Sequence, residues 1–408
     1  MMAEILDRSQ RREILESRRP QRPIRYEPEL GGVYTEDEIE AAVKAMRDSM
    51  DWREGGFGFI GAEEIQSFER AFADYVGTEF AVSINGAGSG LDMAMMCLDL
   101  EPGDEVICPA VNFIASAYSI VSQGGKLVAC DIDPKTLNLD PEDVERLITP
   151  RTRAIFPVHF VGLSAPMDDL QDIAERYPHP KHGPLKVIGD AARACGATYR
   201  GTAVGKKGWM TVFSLHTRKH MSTLGEGGMI TTDDPELNAR LCDIRQFGST
   251  TDSWGTNYKM TKVQAAVGNV QLRRLDEMNA MRVQRARERT ALLQGVEELT
   301  LPYEPPDCGH VYYVYPMLVP RHWAGEKRNR LMELLQQEYL VESWMASAEL
   351  YKTRGFYRRL VGGQALPNSD EISERIVCTL IHALLPAEEN EYIAAAIADA
   401  VERVAAEA

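Results

Sequence analysis

Nowhere in this chain does an uninterrupted apolar run reach the roughly 18–20 residues that a membrane-spanning helix needs, so no membrane span is expected. The opening segment, Met1 to Pro23, is polar and arginine-rich and lacks the apolar centre of a secretion signal. The cytoplasm is therefore the expected location. Cysteine is sparse and dispersed: Cys97, Cys108, Cys130, Cys195, Cys242, Cys308 and Cys378 contain no C-x-x-C and sit beside no histidine pair at zinc spacing. Such a set reads as reduced, mostly buried thiols, and neither disulfides nor a metal site is expected. Positive charge is in deficit, with 45 Lys and Arg against 61 Asp and Glu and a net charge of −16. That balance argues against a nucleic-acid footprint, although a local pocket can still take an anion. Internal repeats and low-complexity tracts are absent too.

What the chain does contain is the make-up of a globular protein, 44% hydrophobic and 26% charged. At 408 residues it is too long for one compact core, and two domains are expected, the larger of them α/β. Residues 1–33 read as an arm, because Arg18 to Pro23 cannot continue a helix. Thr35 and Glu38 form a capping box that opens a helix. Seven short apolar runs follow, at Phe80–Ile84, Glu105–Cys108, Leu127–Cys130, Ala154–Val158, Val187–Gly189, Thr211–Phe213 and Met229–Thr232. Helical patterns separate most of them, at Ser89–Leu98, Ile114–Ser122, Pro141–Leu147 and Met167–Arg176. The alternation predicts a mostly parallel, doubly wound sheet with helices on both faces. A long helix is expected from Thr261 to Val296, then a strand at Val311–Leu318 and helices at Arg328–Gln337 and Ala387–Ala405. The expected division is an arm over 1–33, a large α/β domain over 34–290 and a smaller α+β domain over 291–408.

Lys219 lies five residues after Ser214, which ends a strand-like run, and is followed by the cluster Gly225-Glu226-Gly227-Gly228. A lysine between a hydroxyl suited to a phosphate and tight glycine turns is what a Schiff base with pyridoxal phosphate requires. Ligands of open α/β sheets bind at the carboxyl ends of strands, which directs attention to strand-end residues. Asp190 follows one strand and could keep a pyridine nitrogen protonated, or it could cap a helix starting at Ala191. Asn85-Gly86-Ala87-Gly88-Ser89-Gly90 joins a strand to a helix, and its amides suit a phosphate. A dinucleotide loop would want an acidic residue ending the second strand, where Ile107-Cys108-Pro109-Ala110 stands instead. Phe113 could stack on a ring or be core. Ser214 could donate to the phosphate or close a strand. Asn257 could reach a phosphate or form an Asx turn.

Taken in order and spacing, Asn85–Leu91, Pro109–Ala117, Pro157–His159 with Met167–Asp168, Asp190–Ala192, Ser214–Gly228 and Asn257–Ala266 resemble the DegT/DnrJ-type sugar aminotransferases. The resemblance spans residues 35–320 well and the remainder more loosely. It implies a fold-type I pyridoxal phosphate enzyme with a seven-stranded, mostly parallel sheet, working as a homodimer with active sites at the subunit interface. Lys219 then matches the Schiff-base lysine, Asp190 the partner of the pyridine nitrogen and Phe113 the ring-stacking aromatic. Gly88, Ser89 and Ser214 match phosphate ligands, and Asn257 the asparagine that reaches the neighbouring subunit's phosphate.

Four departures from the family pattern bear on function. Gly88 stands where a hydroxyl is usual, so Ser89 takes over. Arg193 replaces the Gln or His that contacts the ring hydroxyl. His220-Met221-Ser222-Thr223 looks like the 3-dehydratase branch, in which histidine replaces the lysine. The usual His-Tyr-Pro segment is not recognisable around Ser343-Trp344-Met345. Counting from Ser214 selects Lys219, whereas counting back from Gly225 selects His220, because the loop holds one extra residue. Only an amine can form the imine, which favours Lys219.

The expected activity is amino transfer, with pyridoxamine phosphate as the half-reaction form of the cofactor. The amino group would pass from glutamate or glutamine to a keto-sugar, nucleotide-linked keto-sugar or keto-cyclitol. The alternatives are a pyridoxamine phosphate-dependent sugar 3-dehydratase and a non-catalytic regulatory protein of the same fold. Acceptor choice is expected to rest on loops that include Trp52–Phe59 and Trp344–Tyr351.

Overall fold

The computed structural model describes residues 5–25, 30–31, 33–51 and 61–407, so the expected acceptor loop Trp52–Phe59 lies outside the described residues. Seven strands form the main sheet: β1 (Phe80–Ile84), β2 (Glu105–Pro109), β3 (Lys126–Cys130), β4 (Thr152–Ile155), β5 (Lys186–Asp190), β6 (Met210–Ser214) and β7 (Gly228–Thr232). Their order is β1-β7-β6-β5-β4-β2-β3, and only β7 runs against the rest. Nearly every strand residue is buried, which is why the runs read as continuously apolar rather than alternating. The ends of β1, β2, β5 and β6 therefore open on one edge of the sheet, where a ligand of such a fold binds.

Helices Ala87–Met96, Ile114–Ser122, Pro141–Leu147 and Met167–Arg176 lie where the periodicity places them, to within a residue or two at their ends. Asp140 and Asp234 cap helices whose first residue is proline. The Thr35 capping box opens Glu36–Asp48, and a second one at Thr261 opens the 32-residue helix Lys262–Leu293. That helix runs from one core to another. Ala265, Leu272 and Met278 pack beneath β6 and β7, while Ala286, Leu292 and Leu293 pack against a second, three-stranded sheet. This sheet has the antiparallel order β8 (Tyr315–Leu318), β10 (Ile376–Thr379), β9 (Ser343–Trp344). Helix Arg8–Ser17 lies on Ala387–Ala406 through ion pairs of Arg11 with Glu402 and Arg18 with Glu391.

Several expectations change. No helix follows Asp190; the chain makes tight turns instead, so the helix-cap reading of that carboxylate falls away. The expected strand at 311–318 is shorter, because Tyr312 adopts a left-handed φ of 49° and breaks its first half. Helix Pro235–Ile244 and strands β9 and β10 were not anticipated. Apolar runs of four residues or fewer carry too few periods to separate strand from helix.

Buried histidines make stability depend on pH. His159 accepts from the Ala165 amide at 3.0 Å and His310 from the Tyr312 amide at 3.0 Å, and burial pushes both imidazoles down to about 3. The unfolded chain then binds more protons between that value and the usual imidazole range. Stability is complete above that range and is lost as pH falls through it. Each histidine is expected to remove up to about 1.4 kcal/mol per pH unit as acidity rises below about pH 6.5. Denaturant titrations from pH 7 to pH 5 test this. His310→Asn, whose carboxamide can still accept from the Tyr312 amide, should flatten the slope, and an unchanged slope would contradict the assignment.

Candidate active site

A cavity of about 720 Å³ lies at the carboxyl edge of the sheet. A larger hollow of about 910 Å³ flanks helix Pro235–Ile244, but its charged groups are carboxylates and the ion-paired Arg240, with no lysine or histidine among its described lining residues. Chemistry rather than volume therefore picks out the first cavity. It collects Gly88, Ser89, Phe113, Asp190, Arg193, Ser214 and Lys219 on one wall system.

The Lys219 segment is a hairpin-like loop between β6 and β7. Leu215 N donates to Gly227 O at 2.9 Å and Thr217 N to Gly225 O at 3.0 Å, continuing the ladder beyond the strands. A turn closed by Lys219 N on His216 O at 2.9 Å then sets the lysine on the cavity wall. After it, Leu224 takes a left-handed φ of 60° just before Gly225 at 101°, and the chain turns back towards β7. His220 faces the other way. It is 1% exposed, does not line the cavity, and is held well below the usual imidazole value by burial, then by the charges of Arg282 and Lys219. The count from Ser214 is thus the one that reaches the cavity.

Asp190 is 5% exposed and is fixed from several directions. Its Oδ2 accepts from Ser116 Oγ at 2.6 Å and its Oδ1 from Ala192 N at 3.0 Å, while its own backbone bonds Pro157 O and His159 N at 2.9 Å. A carboxylate has about four acceptor sites, so capacity remains for one more donor from the cavity. Across the sheet edge, helix Ala87–Met96 presents its N-terminal amides and the positive end of its dipole. Gly90 lets this helix approach the sheet closely: a Cβ there would stand 2.4 Å from Ile84 Cδ1 and 2.7 Å from Val212 Cγ1. Ser89 Oγ donates to Asn85 Oδ1 at 2.6 Å, so its proton must turn away from that carboxamide to meet a phosphate oxygen. Phe113 is 51% exposed at the cavity rim, unusual for a phenyl in this core and suited to a flat ligand face.

Arg193 lines the cavity but is also engaged by the second sheet's surroundings. Its guanidinium donates to Ala346 O at 2.7 Å and Ser347 Oγ at 3.0 Å, and lies 5.0 Å over Phe160. Asn257 is not on the cavity wall; its backbone carbonyl accepts from Asn85 Nδ2 at 3.4 Å. Ser116, Tyr313, Trp344 and Ser347 were not singled out as site residues by sequence. Only the Trp344–Tyr351 region carried a signal, as an expected acceptor loop, and Trp344 and Ser347 do line the cavity.

The donor set fits pyridoxal phosphate. An amine, a buried carboxylate with spare acceptor capacity, a helix N-terminus and an exposed phenyl face meet in one space. Among the described residues no cluster of His, Cys, Asp and Glu could hold a metal, and no helix is long and apolar enough to cross a membrane.

Comparison with known proteins places this geometry. Residues 34–398 match the DegT/DnrJ/EryC1/StrS aminotransferase family. GDP-perosamine synthase of Caulobacter vibrioides is 41% identical over 263 residues, covering 62% of this chain and 68% of that protein. The dTDP-3-amino-3,4,6-trideoxy-alpha-D-glucose transaminase of Streptomyces venezuelae is 36% identical over 288 residues, covering 70% and 73%. The crystal structure of 3-amino-5-hydroxybenzoic acid synthase superposes with a TM-score of 0.82 at 30% identity, covering 94% of this chain and 100% of that one. This chain belongs to the DegT/DnrJ/EryC1/StrS aminotransferase family and is an aminotransferase.

Proposed function

We propose that the protein moves an amino group from glutamate or glutamine to a keto-sugar, with a nucleotide-linked keto-sugar favoured over a free sugar or keto-cyclitol. The nucleotide-linked sugars in the names of two relatives support that preference. The observation that carries the reading is Lys219 and Asp190 sharing one cavity at the sheet edge. When bound, pyridoxal phosphate supplies a carbonyl for an amine and a ring that takes up the electron pair left when a carbon loses its proton. Lys219 would anchor the cofactor and then move a proton with its amine. Asp190 would accept a hydrogen bond from the ring nitrogen and hold it charged. Gly88 offers a backbone amide to the phosphate, with the hydroxyls of Ser89 and Ser214 beside it. Phe113 would cover a ring face, and Arg193, which tethers the segment bearing Trp344 and Ser347, would meet the ring hydroxyl.

The working unit is a homodimer, with Asn257 reaching the partner's phosphate site. Exposure of Phe247 and Trp254, at 59% and 66%, on the loop leading to Asn257 supports an apolar contact there. A division into a large unit over 34–290 and a small one over 291–408 draws support from the passage of helix Lys262–Leu293 between two cores.

A panel of nucleotide-linked keto-sugars, free keto-sugars and keto-cyclitols, each with glutamate and with glutamine, tests the reading. The expected outcome is 2-oxoacid formation with an equal amount of aminated acceptor. Water loss from a 4-keto sugar without net amino transfer would establish the dehydratase instead, and no turnover of any pair would leave the regulatory alternative.

A further inference from the structure

Tyr313 belongs to no assignment made so far, yet it touches the reacting nitrogen. The Lys219 amine lies 4.6 Å from the centroid of its ring, and both side chains line the same cavity. The same ring lies 5.3 Å from the Arg193 guanidinium and 6.0 Å from the His220 imidazole. Its placement is built into the backbone. Tyr313 N donates to Val161 O at 2.9 Å and Val311 N to Gly162 O at 3.0 Å, so the segment lies flat on the turn that follows His159. Gly162 makes this approach possible: at φ +101° a Cβ would stand 2.7 Å from the amide nitrogens of both Tyr312 and Tyr313. The left-handed Tyr312 then sends the two neighbouring rings apart. Tyr312 stacks on His310 at 3.9 Å and bonds Glu304, while Tyr313 enters the cavity.

We propose, building on the amino-transfer reading above, that Tyr313 is the proton partner of Lys219. Its oxygen holds the amine in the cavity and takes up the proton that the amine must shed before it can react. In that step one N–H bond of the Lys219 ammonium breaks and its electron pair stays on nitrogen. The proton forms an O–H bond on the Tyr313 phenolate, leaving a neutral amine beside a neutral phenol. While the amine takes a proton from one carbon and gives it to another, Tyr313 stays a neutral phenol; when the cycle ends, its O–H bond breaks and the proton returns to the Lys219 nitrogen, so nothing is consumed.

The surroundings suit this role. Burial of the phenol opposes its ionisation, but the positive charges of Lys219 and Arg193, the hydrogen bond from Lys219 and the charge of Arg218 outweigh it. Tyr313 is therefore shifted down, opposite to its neighbour Tyr315, which burial pushes up to about 12. The other charged groups on the cavity wall are Asp190 and Glu226, with His216 near the latter and His220, neutral through burial, behind the ring.

The test compares wild type with Tyr313→Phe, which keeps the ring and removes the oxygen. In the cofactor-free protein, an absorbance titration of tyrosinate should show one phenol ionising below all the others, and this phase should vanish in Y313F. The rate at which cofactor-free protein captures pyridoxal phosphate covalently should fall at least about tenfold in Y313F, and kcat by about 10²-fold with the donor KM nearly unchanged. A role in packing alone predicts none of these, because the ring remains. A wild-type titration without the early phenol, or an unchanged capture rate in Y313F, would overturn the proposal. Neither measurement on the cofactor-free protein needs an acceptor. Failure of every acceptor with a slowed capture rate would sink the substrate assignment and leave Tyr313 in place.

Discussion

Lys219→Ala is expected to lower amino transfer by at least about 10⁴-fold, since in the proposed role one amine supplies both the covalent anchor and the proton transfer. No other amine lines the cavity, so no described neighbour can replace it. Lys219→Arg should be equally inactive: a guanidinium keeps the charge but is not a nucleophile near neutral pH. Borohydride treatment of the cofactor-loaded wild type should fix the chromophore on a peptide containing Lys219. The informative control is His220→Asn. Because His220 is buried behind the wall, amino transfer should persist within a few-fold. Activity that survives in the Lys219 variant but disappears in the His220 variant would reverse the assignment and restore the dehydratase reading.

The second large effect is at Asp190. Replacing it with asparagine removes the negative charge proposed to face the ring nitrogen but keeps the side-chain size, so packing around β5 should hold. The expected loss is on the order of 10³-fold in the first half-reaction, the scale seen when a preorganised electrostatic contact is deleted from a site shielded from water. Ser116→Ala, which removes the 2.6 Å hydrogen bond to Oδ2, should cost about tenfold by letting the carboxylate turn. The graded series separates charge from orientation. Stopped-flow mixing of loaded enzyme with glutamate measures both, and an asparagine variant as fast as wild type would remove Asp190 from the ring nitrogen.

The order of strands and helices was legible because each main-sheet strand is buried on both faces and each connecting helix carries its own apolar stripe. Those are local patterns, and the local chain records them. The same holds for Asp190, Ser214 and the Asn85–Gly90 loop, which fall at strand ends. Gly90 marks a close approach, but the sequence cannot say to what; Ile84 and Val212 answer that only once helix and sheet are packed.

By itself, then, the sequence determined the α/β architecture, the family and the set of strand-end residues from which the site is drawn. The sequence favoured Lys219 over His220 on chemistry, and the tertiary structure puts Lys219 on the cavity wall and buries His220 behind it. Both lie in one loop, and its turn, closed by Lys219 N on His216 O, sets which of the two side chains faces the cavity. It also decided that Arg193 reaches Ala346 and Ser347, that Ser116 steadies Asp190, and that Tyr313 meets the lysine amine. These contacts join residues far apart in the chain, and spacing along a sequence carries no information about separation across a cavity until the backbone has closed around it.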